Sequence, residues 1–177
     1  MNLKTFKLVC KVASFLLKVL GFFAFITLPF ALIIVILPGV RSSITLDVES
    51  SGLILFRSGL IEESHRQLTA LIVAPIFSSI LGYTLWKGSQ LFDQLIEGYS
   101  PFSIDFRTTL KRISLLLIGM DILLPLVYSL VLSIILEDGY YFVFGIGSLF
   151  LVGLILYAVA EIFQYGIELQ QLTEDTV

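Results

Sequence analysis

Four stretches of about 20 or more residues carry almost no charge, and they constrain the fold of this chain more than any other feature. A bilayer core of about 30 Å is crossed by roughly 20 apolar helical residues, because a helix satisfies its own backbone groups without water. We therefore predict an all-α integral membrane protein, a four-helix bundle that forms one domain over residues 1–177. The predicted spans are residues 15–37, 68–87, 113–136 and 140–162.

The composition excludes several other classes of protein. Hydrophobic residues make up 57% of the 177 residues and charged residues 14%, which is more apolar surface than one soluble core of this size can bury. The net charge of −3 gives no attraction to phosphate backbones, so we expect no direct nucleic-acid binding. The sequence shows no nucleophile–base pair, phosphate-binding glycine loop or group of metal ligands, so we predict no enzyme activity, metal or cofactor.

Basic residues near the span ends predict the orientation of the chain in the cytoplasmic membrane. Both termini are expected in the cytoplasm, with an external loop at 38–67, a cytoplasmic loop at 88–112 and a cytoplasmic tail at 163–177. Only three basic residues would then be external, namely Arg41, Arg57 and Arg66. The cytoplasmic side would receive the other eight, which are Lys4, Lys7, Lys11, Lys18, Lys87, Arg107, Lys111 and Arg112.

The external loop contains a pattern typical of β-structure. Apolar and polar residues alternate over 44–48, a turn is expected at Ser50-Ser51-Gly52, and the apolar run 53–56 is a candidate returning strand. We predict a small external β-hairpin. Its edge offers a surface for peptide recognition by strand addition, although a compact cap on the bundle is the favoured interpretation.

Small residues recur every four positions in the second span, and small residues let two membrane helices approach closely. We expect this face to pack within the bundle rather than to form the seam of a homo-oligomer, which stays the alternative. The face consists of Ala70, Ala74, Ser78 and Gly82.

Three ionisable side chains, Lys18, Asp121 and Glu161, fall within the predicted spans. Such side chains cost about 2.5–3.5 kcal/mol at a helix centre and therefore have a partner or a function. Asp121 lies about 12 Å from the cytoplasmic end of its span, at 1.5 Å per residue, so a Lys18–Asp121 pair is geometrically open. One interpretation is an ion, proton or small-molecule site. The favoured one is structural, with Asp121 neutralised by Lys18 or by protonation.

The predicted cytoplasmic tail continues the fourth helix. Tyr165, Leu169 and Leu172 follow helical spacing, so they form a stripe that a cytoplasmic partner could recognise. Packing of this stripe against the loop 88–112 is an equally weighted alternative.

Three short motifs carry a resemblance to a known family. They are GYSPFS at 98–103, FQYGIELQQ at 163–171 and DTV at 175–177. With the four spans they resemble the bacterial "domain of unknown function 2975" family, and the resemblance covers most of the chain. It implies a small bacterial membrane protein that is a partner of a small helix-turn-helix regulator, and it supplies no functional residues.

Two hypotheses of function follow from the sequence. The first is a non-enzymatic regulatory or binding membrane protein, whose partners are the lipid bilayer and a cytoplasmic protein such as that transcriptional regulator. The alternative is a small transport, permeation or immunity-type protein that uses Asp121 and Lys18 in the bundle.

Overall fold

The computed structural model describes residues 3–36, 52–58, 61–136 and 139–174, which form four helices and two strands. All four helices contain stretches that are long and apolar enough to cross a membrane, and the strands form a small antiparallel sheet. The predicted set of four long apolar helices with a small β-element is confirmed. In chain order the elements are α1 (Leu3–Ile36), β1 (Gly52–Ser58), α2 (Glu63–Glu97), α3 (Ile104–Ile135), β2 (Tyr140–Gly145) and α4 (Ser148–Glu174).

The connection between α2 and α3 is defined by two capping residues. Gly98 ends α2 with φ of 96°, a left-handed conformation that glycine adopts without steric cost. Ser103 then caps α3, because its side-chain oxygen accepts a hydrogen bond from the backbone N–H of Phe106 at 3.2 Å. The short connection makes α2 and α3 antiparallel neighbours.

Packing follows the chain order, since α1 packs on α2, α2 on α3, and α3 on α4. Two apolar cores form along α3. The first lies beside the sheet and includes Val73, Tyr128 and Leu132. The second lies near the α2–α3 connection and is built around Leu91 and Leu110. α3 therefore occupies the centre of the bundle and makes extensive contacts with α2, α4 and β2.

The sheet contains one of the two strands predicted for the external hairpin. Residues 53–56 do form part of a strand, but β1 pairs with β2, with Phe56 opposite Phe142. The other predicted strand, 44–48, lies outside the described residues. The segment YYFVFG at 140–145 is apolar enough to fit the start of a span, although its aromatic and β-branched residues also favour a strand.

The same strand corrects the start of the fourth predicted span. α4 begins at Ser148 rather than at residue 140, because β2 precedes it as extended chain. β2 also packs along α3 instead of lying beyond its end. The fourth passage along the bundle is therefore discontinuous: about 20 Å of strand, at about 3.3 Å per residue, is followed by a helix.

Candidate functional site

Asp121 lies at the junction between the strand and the helix of this discontinuous passage. Its Oδ2 accepts hydrogen bonds from the backbone N–H of Gly147 at 2.5 Å and from that of Phe150 at 3.1 Å. These N–H groups belong to the start of α4, where backbone donors have no partner within the helix and where the helix dipole favours a negative charge. Asp121 on α3 is thus the N-terminal cap of α4.

Gly147 is needed for this arrangement. A Cβ atom at residue 147 would lie 2.8 Å from Oδ1 of Asp121, closer than non-bonded atoms approach. The chain can therefore bring its N–H to the carboxylate only because residue 147 has no side chain.

Two serines on α3 satisfy the backbone of β2. The Ser129 Oγ accepts a hydrogen bond from the N–H of Val143 at 2.8 Å. The Ser133 hydroxyl donates to the carbonyl oxygen of Tyr141 at 2.8 Å and accepts from the N–H of the same residue at 3.0 Å. Buried backbone groups need such partners, so the two serines act on β2 as a second neighbouring strand would.

Asp121, Ser129 and Ser133 are spaced by multiples of four on α3, so they share one helix face. We call these three residues the α3 polar face. Sequence reasoning missed its role, although serines four residues apart in an apolar helix, opposite a strand-like aromatic segment, were the available signal. This face hydrogen-bonds backbone groups of 141–150, which gives it a structural role.

The Lys18–Asp121 pair, which the sequence leaves open, is not formed among the described residues. Lys18 binds Asp93 on α2, with 2.7 Å between Nζ and Oδ2. The Ser14 hydroxyl donates to the other carboxylate oxygen of Asp93 at 2.6 Å. Lys18 contacts α2, whereas Asp121 contacts the start of α4, so the two side chains have different neighbours in the bundle.

Glu161, the third predicted in-membrane residue, pairs with basic residues of α3. Its Oε1 is 2.5 Å from Nζ of Lys111, and its Oε2 is 3.8 Å from a guanidinium nitrogen of Arg107. Arg107 also donates to the side-chain oxygen of Gln164. The three in-membrane polar candidates are therefore distributed over three separate contacts.

An aromatic cluster supports the α3–α4 contact next to these ion pairs. The ring of Phe163 meets the edges of Phe102 and Phe106, with centroid separations of 5.6 and 5.7 Å. Gly166 fits against Phe102 so closely that an added Cβ would be 2.8 Å from the ring. The motif at 98–103 and the motif at 163–171 thus contact each other, which fixes the α2–α3 connection against α4.

The small-residue face of α2 packs against α1. The Ser78 hydroxyl donates to the carbonyl oxygen of Ala24 at 2.9 Å. A Cβ on Gly82 would lie 3.1 Å from the carbonyl oxygen of Gly21, so the two backbones approach closely. Ala70 is fully buried, and Ala74 is partly buried. The structure thus places this face in an intramolecular contact, as the favoured interpretation expects.

The stripe on the tail is on the outside of α4. Side chains of Tyr165, Leu169 and Leu172 are 64%, 47% and 64% exposed. Phe163 and Gly166 instead contact the connection at 98–106, so the packing predicted for the stripe is made by a different face of α4.

No family model matches the sequence, and neither a curated protein nor a solved structure matches it. The resemblance to the "domain of unknown function 2975" family therefore stays a prediction. Within the four described ranges, no three His, Cys, Asp or Glu side chains are grouped so that they could hold a metal ion.

Proposed function

We propose that this chain is a multi-pass protein of the cytoplasmic membrane, with both termini in the cytoplasm, and that it binds a soluble cytoplasmic protein without catalysis. The helices are longer than a bilayer requires. α2 has 35 residues, which is about 52 Å at 1.5 Å per residue against a hydrocarbon core of about 30 Å. Most of the excess length of α2, residues 88–97 beyond the predicted span, lies at the α2–α3 end, where most of the basic residues also lie.

Ion pairs stiffen this proposed cytoplasmic end. The Lys18–Asp93 pair connects α1 to α2, and the Lys111–Glu161 pair connects α3 to α4. The aromatic contacts around Phe163 add a second connection between α4 and the α2–α3 turn. A surface held in this way is preorganised for a partner, which lowers the entropic cost of binding.

The exposed stripe Tyr165, Leu169 and Leu172 is the observation that carries the proposal. It lies beyond Glu161 on α4, so it extends past the ion pairs into the proposed cytoplasmic space. Exposed apolar residues at i, i+4 and i+7 are the anchors by which one helix binds a groove in another protein. The class of partner, a small helix-turn-helix regulator, comes from the family resemblance alone.

Photo-crosslinking in cells tests this proposal. A benzophenone amino acid in place of Glu168, which neighbours the stripe, should crosslink to a helix-turn-helix protein that is identified by mass spectrometry. The triple variant Tyr165→Ser, Leu169→Ser, Leu172→Ser should abolish the crosslink. The matched variant Gln170→Ser, Gln171→Ser, on the polar side of the same helix turns, should retain it. Crosslinks to lipid or to a second copy of the chain alone would contradict the proposal.

One observation favours the alternative, a transport or permeation protein. The start of α4 is a helix N-terminus within the predicted membrane region, and transporters use such broken passages to bind ions and anionic groups. Here the N–H groups of Gly147 and Phe150 donate to Asp121 of the same chain. Transport would require Asp121 to exchange that contact for an ion, so loss of ion flux in Asp121→Asn with retained folding would favour the alternative.

A further inference from the structure

A groove of about 570 Å³ runs between α2 and α3 on the predicted cytoplasmic side. Its cytoplasmic end is lined by the amides Gln90 and Gln94, and its opposite end by Tyr83, Leu115 and Leu116. The groove therefore changes from polar to apolar along the helix axes. An amphipathic ligand would match that change, whereas a soluble ion would use only the polar end.

Two basic side chains line the middle of the groove. These are Lys87 on α2 and Arg112 on α3. The Lys87 Nζ is 3.1 Å from the side-chain oxygen of Gln90 and lies 6.0 Å from the centre of the Tyr83 ring. Lys87 is thus held over the groove by groups that leave its charge uncompensated.

The lining residues of the groove include no carboxylate. At this end of the bundle, Asp93 binds Lys18 on the α1 side and Glu161 binds Lys111 on the α4 side. Two further carboxylates lie nearer the α2–α3 connection. At 1.5 Å per residue, Glu97 is about 15 Å along α2 from Lys87, and Asp105 is about 10 Å along α3 from Arg112. The groove is therefore positively charged, whereas the charges on either side of it are paired.

We infer that this groove binds an anionic glycerophospholipid of the cytoplasmic leaflet. The phosphate would be bound by Lys87 and Arg112, and the amides of Gln90 and Gln94 would hydrogen-bond the rest of the head group. One acyl chain would lie along Leu115 and Leu116. Basic pockets between membrane helices on the cytoplasmic side are suited to such head groups. The inference rests on the membrane insertion proposed above, because Lys87 and Arg112 then lie at the head-group level.

Native mass spectrometry of the full-length protein in detergent tests the site, with dioleoyl phosphatidylglycerol and dioleoyl phosphatidylcholine as probes. We expect tighter binding of phosphatidylglycerol. The variant Lys87→Gln, Arg112→Gln should bind it about 30-fold more weakly, which is about five-fold for each charge, or about 1 kcal/mol per basic residue. The charge-preserving variant Lys87→Arg, Arg112→Lys should restore most of the binding, which shows that the fold is intact.

The matched control Lys7→Gln, Lys11→Gln removes two exposed lysines from α1 and should leave the affinity unchanged within about two-fold. Equal losses in the two double variants would overturn the inference, since lipid would then respond to net charge alone. Binding of soluble glycerol 3-phosphate as tightly as the lipid would also overturn it. Alkaline washing of membranes separates the two proposals. Release of the wild-type chain from the membrane would contradict the insertion. If the chain is retained but Lys87→Gln, Arg112→Gln binds phosphatidylglycerol as tightly as the wild type, only the lipid site is contradicted.

Discussion

The two halves of α3 bind the fourth passage of the chain in different ways. In the first half, Arg107 and Lys111 contact side chains of α4, where the helix satisfies its own backbone. In the second half, Ser129 and Asp121 contact backbone groups, because a strand and a helix start leave donors and acceptors unsatisfied. A polar residue in an apolar helix can therefore mark a break in the neighbouring passage rather than a ligand site.

The largest effect is expected at Asp121. Asp121→Leu leaves two backbone N–H groups without an acceptor, so we expect the free energy of unfolding to fall by about 3 kcal/mol. Asp121→Asn keeps an oxygen that can accept both bonds, and its loss should be nearer 1 kcal/mol. Unfolding by SDS in mixed micelles measures both. If Asp121→Leu and Asp121→Asn lowered the unfolding free energy equally, the charge of Asp121 would matter and its ability to accept the two hydrogen bonds would not.

The next effect is expected where the two halves of α3 meet. A Cβ on Gly153 would lie 2.7 Å from Ile118 and 2.9 Å from the carbonyl oxygen of Ser114. Gly153→Ala should therefore lower the unfolding free energy by about 2 kcal/mol, as overpacking does. Gly119→Ala is the matched control, because nothing lies within 4 Å of its added Cβ. It should not lower stability, and a loss there as large as in Gly153→Ala would contradict the close packing of α3 and α4.

A smaller effect is expected for the two serines. Ser129→Ala and Ser133→Ala should each lower the unfolding free energy by about 1.5 kcal/mol, since each removes the hydroxyl that hydrogen-bonds a backbone group of β2. Ser79→Ala is the control: its hydroxyl bonds the carbonyl of Pro75 in its own helix, and removal should cost less than about 0.5 kcal/mol. The same SDS titration applies. If the control matched the two α3 variants, the hydroxyls would not be satisfying the strand.

The smallest effect is expected for the exposed ion pair of the first half. Lys111→Ala and Glu161→Ala should show a weak coupling in a double-mutant cycle, and added salt should reduce it, because both side chains are partly accessible to solvent. A coupling larger than the effect of Ser129→Ala would reverse the contrast between the two halves.

Much of the fold was predictable because its signals are local. Apolar length predicts the four helices, and small residues at every fourth position predict the face of α2 that packs within the bundle. Each of these features depends on residues that are neighbours in the sequence or on one helix face.

The strand and the ion pairs were not predictable in the same way. The segment 140–145 is apolar in either conformation, and only the pairing with β1 and the hydroxyls of α3 make it a strand. The partner of Lys18 depends on which helix lies beside α1. The depth of a residue along its predicted span does not determine that neighbour.

Cysteine labelling in cells tests most directly the central claim that α3 crosses the membrane with its ion-paired end in the cytoplasm. The chain has one cysteine, buried Cys10, so Cys10→Ser gives a background for single cysteines at the exposed positions Tyr99 and Tyr140. With a membrane-impermeant maleimide, Tyr140→Cys should react in intact spheroplasts, and Tyr99→Cys should react only after permeabilisation. Labelling of both positions, or of Tyr99→Cys alone, in intact spheroplasts would contradict the account.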